Sequence, residues 1–125
     1  MYAVAVRRDF IARHALVGGD WGLENESHVH HYTVEARLYG KDLDGHGYLI
    51  DICEIEAPFE KLVGYFRDEN LNDLPEFEGL NPSIEHLARI FWRTLSAAID
   101  TQPLSALSIR IWENEAAWAE YRENL

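Results

Sequence analysis

Among the chain's six histidines, three crowd into the segment His28-Val29-His30-His31. In an extended strand side chains alternate between faces, so His28 and His30 project from one side and His31 from the other. Two imidazoles on one face are the beginning of a metal site. Zinc in catalytic centres takes three protein ligands and leaves a fourth position open. His14 is the candidate third ligand, because it closes an earlier alternating stretch and an antiparallel hairpin of the two stretches brings it to the face of His28 and His30. The same His-x-His spacing suits two strand histidines that bind nothing, and spacing by itself does not choose between these readings. Of the rest, His46 falls in a turn, His86 on a helix surface, and His31 packs or hydrogen-bonds on the far face. Cys53, the only cysteine, has no partner for an internal disulfide and reads as a small buried residue.

The elements that must position these histidines follow from periodicity. Residues 2–16 alternate with Val4, Val6, Phe10, Ala12 and His14 on one parity, the pattern of a half-buried strand. Glycines and polar residues make 17–27 a loop. A second strand over 28–40 is rich in β-formers such as Val29, Tyr32, Thr33, Val34, Leu38 and Tyr39. Asp42 to Gly47 forms a turn, and Tyr48 to Asp51 is expected as a short strand. Ile55, Phe59, Leu62, Val63 and Phe66 recur at helical spacing, with Pro58 expected in the first turn. After a polar, turn-rich stretch from 68 to 81, Ile84, Leu87, Ala88, Phe91, Leu95 and Ala98 mark a second helix, with Asn81 as its expected N-cap and Pro82 at its first position. Residues 104–113 alternate as a strand, and 116–121 fit either a short strand or a helical turn. The order β-β-α-α-β predicts an α+β fold in one domain spanning 1–125, an antiparallel sheet with two helices on one face. Its open edges point to self-association.

Composition narrows the function classes. Hydrophobic residues make up 47% of the chain, enough for a core, and 22 acidic against 11 basic residues leave a net charge of −11. That charge repels phosphate backbones and anionic lipid, so neither nucleic-acid nor membrane-surface binding is expected. A small anionic substrate stays compatible, since a metal ion or a few arginines supply a local positive field. No apolar run approaches the ~18 residues of a membrane span. With a single cysteine and no leader-like amino terminus, a cytoplasmic location is expected.

Several short motifs then fall into one order: Phe10-Ile11-Ala12-Arg13-His14, His28-Val29-His30-His31-Tyr32, Gly47-Tyr48-Leu49-Ile50-Asp51, Leu71-Asn72, Pro82-Ser83-Ile84-Glu85 and Trp112-Glu113. In order and spacing they resemble the 6-pyruvoyltetrahydropterin synthase and 6-carboxytetrahydropterin synthase family over nearly the whole chain. The resemblance implies the tunnelling fold, in which sheets of several subunits join into a barrel. It also implies a homo-oligomer, usually a hexamer built of two trimers, with active sites at subunit interfaces. It makes His14, His28 and His30 ligands of zinc and makes Glu113 the anchor of a pterin ring through its amino-pyrimidine edge, with Ser83 and Glu85 contributing to the pterin pocket. A strand-end Glu or the polar first turn of a helix is otherwise ordinary solvated surface.

The departures are as specific as the matches. The family's catalytic Cys, four residues before the first histidine of the pair, is replaced here by Glu24, and the family's Asp-His pair falls on Arg67 and Asp68. Val29 stands for a glycine and His31 for an asparagine. Glu in place of the Cys occurs in family members that cleave the side chain of dihydroneopterin derivatives. The resemblance therefore implies a zinc-dependent lyase acting on 7,8-dihydroneopterin triphosphate or a related reduced pterin, with Glu24 or Asp68 supplying the base. A side-chain-cleaving lyase using Glu24, a pterin- or purine-like ligand-binding homologue without efficient catalysis, and a purely structural zinc oligomer are the competing readings.

Overall fold

The computed structural model describes all 125 residues. Its sheet has four antiparallel strands in the order β1-β2-β3-β4, namely β1 (Tyr2–His14), β2 (His28–Gly40), β3 (Ala106–Trp112) and β4 (Trp118–Asn124). Helices α1 (Ile52–Phe66) and α2 (Ile84–Ala98) lie on one face of it. The carboxy-terminal stretch is thus a strand.

Strict alternation in β1 buries Val6, Phe10, Ala12 and His14 while Arg7, Asp9, Ile11 and Arg13 face away. On β2 the buried partners are Tyr32, Val34, Ala36 and Leu38, and on β3 Leu107, Ile109 and Ile111. The helices close over this face with Ile55, Phe59, Val63 and Phe66 from α1 and Leu87, Ala88, Phe91 and Leu95 from α2. Trp92 ties α2 to the sheet by donating its indole N–H to the Leu107 carbonyl at 2.7 Å.

The aromatic rings of this core form a column. Phe66 stacks on Phe91 at 5.0 Å between centroids, Phe91 on Phe10 at 5.9 Å, Phe10 on Tyr32 at 5.2 Å and Tyr32 on His30 at 5.6 Å. Each offset pair adds to simple area burial.

The helix-free face of the sheet is polar but ordered. Buried Glu35 accepts from Arg7 and Arg37, each at 2.9 Å. Arg7 also lies 4.7 Å from the Trp112 ring, and Arg110 lies 3.8 Å from that of Trp118.

Four sequence expectations change. Tyr48 to Asp51 is a bend, because Leu49 and Ile50 are buried side by side rather than alternately and no strand pairs with them. Leu49 occupies the space a Cβ on Gly40 would need, which closes the end of β2. Helix α1 begins at Ile52, where the Asp51 carboxylate caps it by accepting from the Cys53 N–H, so Pro58 lies a turn deeper than expected. Cys53 is exposed at that first turn rather than buried. The α2 cap is Ser83, whose hydroxyl accepts from the His86 N–H, and Pro82 precedes it. Asn81 instead turns its side chain to the Val17 N–H at 2.8 Å, while its carbonyl accepts from the His86 ring at 2.7 Å. The stretch from 68 to 81 contains two 3₁₀ turns, and residues 68–70 run along β1, where Asp68 donates its N–H to Ile11 and Arg13 donates to Glu69. No helix is long and apolar enough to cross a membrane.

Phe91 stacks on two rings and meets Phe59 edge to face, so Phe91→Ala removes the centre of the column. We expect it to cost about 3–5 kcal/mol in urea unfolding.

Candidate active site

The site begins with strand register. In the β1/β2 ladder His14 pairs directly with His28 and Ala12 with His30. His14 therefore meets His28 across the strands and His30 on the diagonal, and the small Ala12 leaves room between them. Ring centroids lie 4.6 Å apart for His14 and His28, 4.4 Å for His14 and His30, and 4.7 Å for His28 and His30. One nitrogen from each ring lies within 4.8 Å of the others.

The hydrogen bonds suit a metal. The Glu26 carbonyl can only accept, so the 2.8 Å contact puts the His28 proton on Nδ1 and its lone pair on Nε2. That Nε2 lies 2.9 Å from Nε2 of His30, a pair held in the protein alone by one shared proton and available to a cation in its place. His14, only 3% exposed, has its Nδ1 2.8 Å from the hydroxyl of fully buried Tyr32. Burial, and then the neighbouring His30 and His28, push the His14 pKa down to about 4, against a smaller opposite pull from the Pro82 carbonyl. Burial and His28 lower that of His30, opposed by the charges of Glu113 and Glu24. Burial, with a smaller contribution from Glu113, raises that of Tyr32. Neutral imidazoles are the form a metal binds.

A cavity of about 330 Å³ opens beside this cluster, within the size range of ligand pockets. His14, His30, Glu24, Glu113, Ser83 and Glu85 all line it, together with Leu16, Trp21, Asn81 and Ile84. They come from several separate parts of the chain. Glu113 follows the last β2/β3 pair, Thr33 with Trp112, and its backbone N–H bonds to Ala117 at the turn into β4. Ser83 and Glu85 open α2. Glu24 belongs to a 3₁₀ turn, Gly22–Asn25, and is exposed, so the chain itself leaves its carboxylate in water. A groove of about 780 Å³ beside Tyr2 and Tyr48 is larger but gathers no such set of groups.

Of the residues expected from sequence, His28 and Asp68 do not line the cavity; the His28 ring lies 4.7 Å from that of His30, which does. Asp68 lies elsewhere, at positive φ beside Arg67, Asp9 and exposed His31 on a separate depression. Within one chain it does not reach the histidines' cavity. Sequence reasoning missed Trp21, Asn81 and Tyr32. Only Tyr32 carried a readable signal, being two residues beyond His30 on the same face.

A family model described as 6-pyruvoyl tetrahydropterin synthase matches residues 3–124. The chain belongs to that family. Among 6-pyruvoyl tetrahydropterin synthase relatives, a Dictyostelium discoideum 6-pyruvoyl tetrahydrobiopterin synthase is 29% identical over 98 residues, 77% of this chain and 70% of that protein. The Caenorhabditis elegans 6-pyruvoyl tetrahydropterin synthase shares the fold with a TM-score of 0.80 at 21% identity, over 98% of this chain and 97% of the other. A Plasmodium vivax 6-pyruvoyltetrahydropterin synthase, solved with a catalytic glutamate changed to alanine, superposes with a TM-score of 0.82 at 16% identity, over 99% and 98% of the two chains. The tunnelling-fold subunit expected from the motifs is therefore the fold observed.

His14 generates a pH test. Its folded pKa lies below the 6.5 of an unperturbed imidazole, so in the metal-free protein the unfolded chain takes up this proton first as pH falls. The stability is complete above pH ~6.5 and is lost as pH falls through about 4, a loss on the order of 3 kcal/mol from this group. Urea unfolding at a series of pH values should show that slope, and His14→Asn should flatten it.

Proposed function

We propose that this protein is a zinc-dependent lyase acting on 7,8-dihydroneopterin triphosphate or a closely related reduced pterin. The observation that carries the reading is the single cavity on which two neutral histidines of a three-histidine cluster, two carboxylates and the first turn of α2 converge. Membership of the 6-pyruvoyl tetrahydropterin synthase family and the name of the Dictyostelium relative support the same class of reaction.

His14, His28 and His30 would hold the metal. Bound there, zinc supplies a Lewis acid that lowers the pKa of a hydroxyl on the substrate side chain. Glu113 receives the amino-pyrimidine edge, its carboxylate accepting two parallel N–H bonds and so fixing the ring's orientation. Glu24 takes a proton from the side chain, the task of the Cys it replaces. The catalytic glutamate of the Plasmodium vivax synthase supports that assignment. Ser83 has its hydroxyl engaged in capping α2 and lines the cavity, with Glu85 on the wall beside it.

Glu24 also favours a second reading, cleavage of the side chain rather than formation of the 6-pyruvoyl or 6-carboxy product. The carboxylate at that position is the observation that speaks for it. We further propose a homo-oligomer, a hexamer of two trimers, supported by the free outer edge of β4 and the mostly uncovered edge of β1. A cytoplasmic setting accords with the lone exposed Cys53.

Zinc-loaded protein incubated with 7,8-dihydroneopterin triphosphate should yield a new pterin, identified by mass spectrometry, whose side chain distinguishes the two lyase readings. Glu24→Gln should slow turnover by about 10²-fold or more while retaining zinc. An unchanged rate removes Glu24 from the mechanism. Glu113→Ala should weaken pterin binding by roughly tenfold to a hundredfold in calorimetry. Binding that depends on Glu113 without any turnover would leave a ligand-binding homologue.

A further inference from the structure

Trp21 is the one residue of the cavity with a large flat apolar side chain, and no motif accounts for it. It is 43% exposed, whereas all five phenylalanines of the chain are buried. Its place on the wall of the cavity, rather than its exposure, sets it apart from the other exposed rings.

The loop holds this ring deliberately. A Cβ on Gly19 would stand 2.7, 2.9 and 3.1 Å from three atoms of the six-membered part of the indole, so the ring rests on bare backbone there. Gly19 has no positive φ, so close approach is what requires a glycine at this position. Asn25 fastens the rest. Its Oδ1 accepts from the Trp21 backbone N–H at 2.7 Å, and its amide donates to the Gly19 carbonyl at 2.9 Å and to that of Leu16 at 3.2 Å. Leu16 in turn donates its N–H to the Glu24 carbonyl at 2.8 Å. One side chain thus ties together, in a single loop, the backbone of Trp21, the Gly19 backbone on which the indole rests and the segment bonded to the turn that carries Glu24.

We infer that Trp21 is the stacking surface for the flat ring of the substrate, and that Gly19 and Asn25 are the residues positioning it. The inference rests on the reading of this cavity as a pterin site. There Glu113 recognises the edge of the heterobicycle, and an edge contact alone does not select for a second ring. A face contact does, because stacking grows with the area of overlapping π surface. Trp21 therefore determines specificity for a bicyclic over a monocyclic amino-pyrimidine.

Calorimetric titration compares 7,8-dihydroneopterin with 2-amino-4-hydroxypyrimidine, which keeps the edge but lacks the second ring. Trp21→Ala and Trp21→Leu should weaken 7,8-dihydroneopterin by about tenfold to a hundredfold and the single ring far less, narrowing the preference, whereas Trp21→Phe should keep most of it. Gly19→Ala retains the indole but displaces it, and should move the preference in the same direction as Trp21→Ala. Zinc content and the unfolding midpoint, measured alongside, should stay at their unaltered values, as an exposed loop ring allows. If Glu113→Ala abolishes binding while Trp21→Leu leaves the preference intact, the stacking role is overturned and the pterin reading stands. If the unaltered protein does not distinguish the two compounds, or Glu113→Ala binds normally, the pterin reading itself fails and the stacking role falls with it.

Discussion

Everything at the site depends on the register of β1 against β2. Thirteen paired positions run from Tyr2 with Gly40 to His14 with His28, and the imidazoles meet only at that last pair and at Ala12 with His30, two positions before it. A slip of one residue would send His14 to the opposite face, because side chains alternate along a strand. The register is secured along the length of the hairpin by Val6, Phe10, Tyr32, Val34 and Leu38, which must all face the helices at once. Hydrophobic burial along the whole hairpin thus sets the geometry of a polar cluster at its end. Beyond His14 the chain leaves the sheet and side-chain amides take over its hydrogen bonds, Asn72 at Ala15 and Asn81 at Val17.

Charge is distributed with the same economy. The chain carries a large excess of acid, yet five of its eleven basic residues, Arg7, Arg13, Arg37, Arg110 and Arg122, lie on the helix-free face of the sheet. Glu35 and the aromatic rings of Trp112, Trp118 and Tyr39 hold four of them in fixed positions. On the other face no arginine lines the cavity, and Glu24 and Glu113 oppose the burial that keeps His30 neutral. A site that combines carboxylates with neutral imidazoles attracts a cation.

The strands, both helices and the histidine triad were legible because each follows a period that burial enforces. Alternation put His14 on the parity of Phe10 and Ala12, and that parity is the buried one. What could not be read were features decided by single contacts between distant parts of the chain. Ser83 rather than Asn81 caps α2 because Asn81 is drawn to the Val17 backbone, a contact 64 residues away in sequence. Tyr48 to Asp51 has strand composition, but a strand requires a neighbour, and Leu49 is taken up at the end of β2 instead. Glu24, Glu113, Ser83 and Glu85 were found by motif order, since their own residue types are those of ordinary surface. Trp21 matched neither a period nor a motif, and its place emerges only from the loop that folds back over Gly19.

The column of rings from Phe66 to His30 has a consequence for substitution. Its last member, half-buried His30, stacks on the core through Tyr32 and is also part of the histidine cluster, so core packing and the geometry of the cluster are joined at one ring. A drift in ring size anywhere in the column is transmitted by close packing to an imidazole that must keep its place. A change of ring in the column therefore bears on folding and on the imidazole together, whereas a change in the 16–25 loop reaches the cavity without passing through the column.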